Sequence, residues 1–196
     1  MNNPKPYVSL VLERKLFKEF QDCFVDVLNT KLNISIEGDD LDYLDRVARY
    51  PLISVAKNFS NKISLPKAFK VAQKSFLQKP FSTQLFFKDV SIKLGDDNNL
   101  YLGLEVKPTE YSEYLFKTLY GISEDSYSTH KLFVVFVRVS KPSISVDEFS
   151  NLKQQLLNNL PEDHLIALGV KIKAFNDFRK AMESYLILQF AKETEN

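Results

Sequence analysis

A chain of 196 residues, 44% hydrophobic and 26% charged, has the apolar material for one domain with a real core, which excludes a disordered or low-complexity protein. Lys and Arg total 26 against 25 Asp and Glu, a net charge of +1, so a nucleic-acid site on this body is a local patch. The single cysteine, Cys23, and the two histidines, His130 and His164, exclude within one chain a disulfide framework, a cysteine-based zinc site and a three-histidine metal site.

In chain order, the polar opening 1–6 lacks the apolar core of a signal peptide. No run approaches the roughly 18 apolar residues of a membrane span. A soluble protein of the cytosol or nucleus, with no membrane partner, is the expectation. Segment 7–12 (YVSLVL) reads as a strand, and 13–28 as an amphipathic helix with Leu16, Phe17, Phe20, Phe24, Val27 and Leu28 at helical spacing. Cys23 lies beside that stripe and reads as a small buried residue rather than a reactive thiol. Segment 31–36 alternates weakly, as an edge strand does. After the break at Gly38, 41–49 reads as one or two helical turns with Asp39 or Asp40 as N-cap. Pro51 stops that helix, and 52–56 (LISVA) is a compact strand.

Segment 65–78 is a second amphipathic helix, with Pro66 in its first turn and Phe69, Ala72, Phe76 and Leu77 on one face. Segments 81–94 and 100–106 (LYLGLEV) flank an acidic-amide turn and form a hairpin. A third helix over 109–120 ends at Gly121 as its C-cap. The most β-prone run, 131–139 (KLFVVFVRV), predicts a central strand. Segment 145–159 predicts a helix opened by the pair Ser145 and Glu148. Strands over 165–175 and 185–190 close the chain around a polar loop. His164 follows the Pro161-Glu162-Asp163 turn and is expected to be exposed, with no site role. The order implies an α+β fold in two similar halves, with helices on the outer faces of antiparallel sheets. No Pro- or Ser-rich linker separates the halves, so residues 1–196 form a single bilobal domain.

Glycine-rich phosphate loops, HExxH, GxSxG and CxxC are all absent. Charge is nevertheless uneven. Lys57, Lys62, Lys67, Lys70, Lys74 and Lys79 fall in a stretch without one acidic residue, whereas acids concentrate in 37–45 and 105–125. A solvated helix face accounts for that stretch as readily as a path for a phosphate backbone does. Tyr127 and Tyr120 are candidates for stacking a base, against the simpler alternative of packing on the sheet.

Three stretches together resemble the two-histidine (2H) phosphoesterase superfamily, and within it the U6 snRNA 3′-end phosphodiesterases. They are YPLISVAK at 50–57, the hairpin over 81–106 and DSYSTHKLFV at 125–134. Such proteins carry an H-x-S/T-hydrophobic motif once in each half. The resemblance implies two lobes flanking a groove, where one imidazole acts as general base and the other as general acid. The Ser or Thr two residues on faces the same side and holds a phosphate oxygen. Here Leu52 stands at the first histidine position and Leu132 at the second Ser/Thr position, leaving Ser54 and His130.

By alternation, Leu52 and Ser54 share one face of their strand, and His130 and Leu132 one face of theirs. The implied groove holds one histidine, one serine and two leucines. The resemblance therefore implies a protein that binds RNA 3′ ends with little or no catalysis. Ser54, Lys57, Lys131, Tyr127 and Tyr120 contact substrate, and His130 is the catalytic residue if one survives. No cofactor and no metal are expected. The expected partner is a single-stranded, oligouridine-like RNA 3′ end or an RNA–protein complex, and the resemblance alone favours the nucleus. Two other readings stay open. One is an active phosphodiesterase in which Tyr127, Lys57 or Lys131 replaces the missing histidine. The other is a structural interaction module whose Phe-rich helices dock a protein.

Overall fold

A computed structural model describes residues 5–57, 65–95, 97–127, 130–140, 146–175 and 181–186. The chain runs β1 (Lys5–Leu12), α1 (Arg14–Leu32), α2 (Asp39–Arg49), β2 (Leu52–Lys57), α3 (Leu65–Gln78), β3 (Gln84–Leu94), β4 (Leu100–Val106), α4 (Glu110–Tyr120), β5 (Leu132–Val139), α5 (Val146–Asn159), β6 (His164–Phe175) and β7 (Ala181–Leu186). Among the described residues, no helix is long and apolar enough to cross a membrane.

The strands form one antiparallel sheet in the order β2-β1-β6-β3-β4-β5, with β7 also paired to β6. Two sheets were expected, and the length of β6 explains the difference. Its 12 residues are enough to pair with two neighbours on one side in succession. His164, Leu165 and Ile166 pair with Phe86, Leu85 and Gln84 of β3. From Lys171 onward β6 pairs with β7 on that side, while β1 runs along the other. Three residue pairs thus join β2-β1-β6-β7 to β3-β4-β5.

Strand β5 lies at an end of this path, not in its middle. Its β-forming residues reflect the burial of Leu132, Val134, Phe136, Val137 and Val139 rather than a partner on each side. Its free side is occupied by α2, and β2, the strand at the opposite end of the path, lies beside it with no ladder between them.

The helices fall into two groups. α3 and α4 pack together and against β6 and β2, while α1, α2 and α5 pack over β5 and β3. In α1, Phe17, Phe20, Gln21, Phe24, Val27 and Leu28 are buried at helical spacing. Phe17, Phe20 and Phe24 converge on Phe136, with ring centroids 4.9, 5.6 and 5.1 Å away. Buried Gln21 donates from Nε2 to the carbonyls of Leu44 and Phe136, both at 3.0 Å. It thereby ties α2 and β5 to α1. Phe136 sits where the β4–β5 register slips between Leu102 and Gly103. Here glycine is required, because a Cβ on Gly103 would lie 1.8 Å from the Val134 carbonyl oxygen.

Several local readings need correction. Segment 31–36 is no strand. α1 continues to Leu32, Asn33 adopts a left-handed φ of 53°, and the Ile34 N–H returns to the Leu28 carbonyl at 3.2 Å. Neither Asp39 nor Asp40 caps α2; Gly38 occupies the cap and both acids lie in the first turn. The Asp40 carboxylate instead accepts from Arg138 Nε at 2.7 Å and from the Ser140 N–H and hydroxyl at 2.7 and 2.9 Å. Burial opposes its ionisation, but these bonds outweigh that and hold its carboxyl below the ordinary range. The last strand covers 181–186; 187–190 and the cap residue Ser145 lie outside the described residues. Cys23 is half-buried and contacts the Asn159 carbonyl at 3.1 Å. Burial, then Asp26, pushes its thiol pKa up.

Because three α1 phenyl rings share Phe136, Phe136→Ala is expected to cost about 3–5 kcal/mol of stability. Urea unfolding measures it, and a loss below about 1 kcal/mol contradicts this picture of the core.

Candidate nucleic-acid interface

The two motif-bearing strands meet where the ends of the sheet come together. In β2, Ile53, Val55 and Ala56 are buried, Leu52 is half-buried, and Ser54 and Lys57 are exposed. The register steps from Val8↔Ala56 to Ser9↔Ser54, leaving Val55 as an extra residue in a bulge. Its carbonyl is met by His130, immediately before β5, with Nε2 3.1 Å from the oxygen. A carbonyl only accepts, so Nε2 carries the proton. The imidazole lies on the Phe116 ring of α4, with centroids 4.2 Å apart and planes 11° from parallel. Phe116 in turn contacts Tyr120 at 4.6 Å. The Tyr120 hydroxyl donates to the Lys57 carbonyl at 2.7 Å and accepts from the Lys57 N–H at 3.3 Å. Burial is the main influence on His130 and holds its pKa below the ordinary value, against the opposing pull of the Val55 bond and Glu113.

The opposite side of β5 carries Lys131, Phe133 and Val135. Leu132, Val134 and Phe136 are buried, Phe133 is half-buried and Lys131 is exposed. Phe133 pairs with Glu105 of β4, and Lys93 of β3 sets its ammonium 3.8 Å from the centre of the Phe133 ring. Glu105 receives Lys88 at 3.5 Å on one oxygen and Lys131 at 4.0 Å on the other. Partial burial does most to lower the Lys93 pKa; Glu105 opposes this, and the charges of Lys131 and Lys57 add to it. Lys88 and Lys131 thus share one carboxylate, and Lys93 lies beside them on the Phe133 ring, within the electrostatic influence of Lys57 and Lys131.

The structure sorts the sequence candidates differently from the expected groove. His130 is 8% exposed and Leu132 fully buried, so that pair faces the core and the outward side belongs to Lys131 and Phe133. The physical reason is that Leu132 and Val134 complete the apolar interior, which fixes the alternation of the whole strand. Lys57 and Lys131 are both exposed, and the charge of each bears on Lys93; Ser54 is exposed three residues before Lys57. Tyr127 is 91% exposed, whereas the Tyr120 hydroxyl is committed to the Lys57 backbone. The lysine stretch divides: Lys67, Lys70 and Lys74 stand exposed on α3. Lys79 approaches the Tyr114 ring at 5.8 Å and lines a cleft with Glu110 and Glu113. Lys62 lies outside the described residues.

Lys88, Lys93, Glu105 and Phe133 escaped the sequence reading. The available signal was the polar alternation of Asp89, Ser91 and Lys93, together with Glu105 as the one charged residue in its strand. His164 is not exposed as expected; it is half-buried in β6, 2.8 Å from the Asp163 carboxylate and 5.7 Å from the Phe86 ring centre. Glu162, Asp163 and His164 bring three metal-type donors together, but the two carboxylate residues are exposed and none belongs to the lysine cluster.

These features define an α+β protein on one antiparallel sheet, with a cationic patch where its ends meet. The same fold is found in Kluyveromyces marxianus Usb1, which is 12% identical and aligned over 95% of this chain and 98% of that one, with a TM-score of 0.57. The structure of Kluyveromyces marxianus Usb1 with uridine monophosphate is 10% identical over 94% and 98% of the two chains, with a TM-score of 0.54. No family model matches the sequence, and no curated protein matches it. At these identities the likeness is one of fold.

His130 also makes stability pH-dependent. Its folded pKa lies below the ordinary 6.5, so the unfolded chain takes up the proton first. The stability arising from this difference is whole above that value and is lost as pH falls from there through the folded value. Thermal unfolding between about pH 7 and pH 5.5 should show a larger fall in the midpoint for the wild type than for His130→Gln. Parallel curves contradict the buried neutral imidazole.

Proposed function

We propose that this chain is a U6 snRNA phosphodiesterase-like protein that binds single-stranded, oligouridine-like RNA 3′ ends without paired acid–base catalysis, alone or within an RNA–protein complex. The carrying observation is the set of lysines on the outward side of the sheet: Lys93 on the Phe133 ring at 3.8 Å, and Lys88 and Lys131 on Glu105 at 3.5 and 4.0 Å. The sequence resemblance to the U6 snRNA 3′-end phosphodiesterases supports the reading. So do the shared fold with Usb1 and the uridine monophosphate in one Usb1 structure. The same resemblance favours a nuclear protein.

In this reading β2-β1-β6-β7 and β3-β4-β5 act as two lobes, with the RNA lying across their seam. Lys57 and Lys131 neutralise phosphate, Ser54 donates to a phosphate oxygen, and Tyr127 stacks a base. Tyr120 acts at one remove, as a positioning residue that fixes the Lys57 backbone. Transphosphorylation needs one group to take the proton from an attacking hydroxyl and another to protonate the leaving oxygen. Leu52 has no proton to exchange. His130 points its Nε2 proton at a backbone carbonyl and its ring at Phe116. Its part here is to position Lys131 rather than to transfer protons.

A labelled oligouridine separates the possibilities. Binding without release of nucleoside monophosphate or a cyclic-phosphate end is the expected result, with affinity falling steeply as salt rises. Lys57→Met and Lys131→Met should each weaken binding and reduce the slope of log affinity against log salt by about 0.7. Steady cleavage that disappears in His130→Ala overturns the loss of catalysis. Absence of any RNA binding, with co-purification of a fixed protein partner, favours the interaction module.

A further inference from the structure

We infer that the cluster formed by Lys57, Lys93 and Lys131 is a seat for a terminal phosphate monoester at an RNA end, in preference to an internal phosphodiester. The inference rests on the RNA-binding reading and specifies which chemical group that surface takes. Its first support is the number and origin of the charges. Lys57 comes from the end of β2, Lys93 from β3 and Lys131 from the entry to β5, so the ammonium groups approach from different elements of the fold.

A track for a continuous backbone calls for cations spaced along it, each near one phosphate. Cations gathered about one point suit a single group with several charged oxygens. A terminal monoester has three such oxygens and carries about −1.5 to −2 charges near neutral pH. A diester has two free oxygens and one charge, and its other two oxygens continue into the chain.

The second support is incomplete compensation. Among the described residues, Glu105 is the carboxylate paired with these lysines, and Lys88 and Lys131 share it at 3.5 and 4.0 Å. Lys93 rests on the Phe133 ring, 3.8 Å from its centre. Burial does most to lower its pKa, and the charges of Lys131 and Lys57 add to that against the pull of Glu105. A dianion offsets more of this positive charge than a monoanion does. Phe133 holds the Lys93 ammonium over its ring, which limits how far the charge withdraws into water.

The test compares oligouridines of one length carrying a 3′-phosphate, a 5′-phosphate, a 2′,3′-cyclic phosphate or hydroxyls at both ends, with the full-length protein at fixed salt. One open phosphate end should bind at least about tenfold tighter than the hydroxyl-ended strand, and the arm that does so identifies which end is held. The cyclic phosphate, a monoanionic diester of similar size, should gain much less. Lys93→Met, first shown by circular dichroism to melt as the wild type does, should bring the ratio of phosphate-ended to hydroxyl-ended affinity close to one. Should that variant misfold, Lys131→Met offers the same comparison. Equal affinity for all four strands overturns the inference and leaves RNA binding standing, as does a preference that survives both substitutions. Failure of every strand to bind removes the RNA reading and this inference with it.

Discussion

A sheet built as an open path has two edges, and here they are brought side by side without a ladder to join them. The bond from His130 to the Val55 carbonyl spans that seam. Edge strands present backbone groups that need partners, and the bulge at Val55 leaves one such carbonyl off the ladder. One imidazole supplies it with a donor. The same ring lies flat on Phe116, and one helical turn on, Tyr120 grips both polar groups of the Lys57 backbone. One helix thus fixes the end of β2 and, through the histidine, the start of β5.

That constraint determines which residues face outward. With His130 turned inward, Lys131 points away from the core and Leu132 returns to it. Phe133 then lies opposite Glu105, within reach of Lys93. His130 is held in place by its bond to the Val55 carbonyl and its stacking on Phe116. Burial also works against its taking a second proton. Its bond to the Val55 carbonyl and its stacking on Phe116 require no second histidine.

Features written locally were the most legible in the sequence. Thr109 and Gly121 bound α4 as read: the threonine forms a reciprocal cap with Ser112, and the glycine takes a left-handed φ of 67°. The hairpin of β3 and β4 was equally plain from its alternation. Position in the sheet was not. β5 has the strongest strand propensity, yet it sits at an end of the path, because propensity reports how a side chain packs and not how many strands flank it. The single sheet was hidden for a related reason: the switch of β6 from β3 to β7 is a matter of length and register, which composition does not carry. At the site, Lys57 and Lys131 were named because they lie within motif stretches. Lys93 and Glu105 were not, because they approach only once β3 and β4 have folded beside β5. The inward turn of His130 was also illegible, since the β-bulge that presents the Val55 carbonyl has no marker such as glycine.

Closure of the sheet and charge at the seam are therefore coupled. Lys57 ends one edge strand and Lys131 leads into the other, and the charge of each bears on Lys93. Glu105 offsets only part of this charge, being shared with Lys88. In the proposed complex, an anion seated among these lysines gives them a common partner. It then acts across the same seam as the His130 bond. By linkage, whatever binds the closed arrangement more tightly than the open one also stabilises closure. On the proposed reading, holding an anion and holding the two ends of the sheet together therefore favour each other.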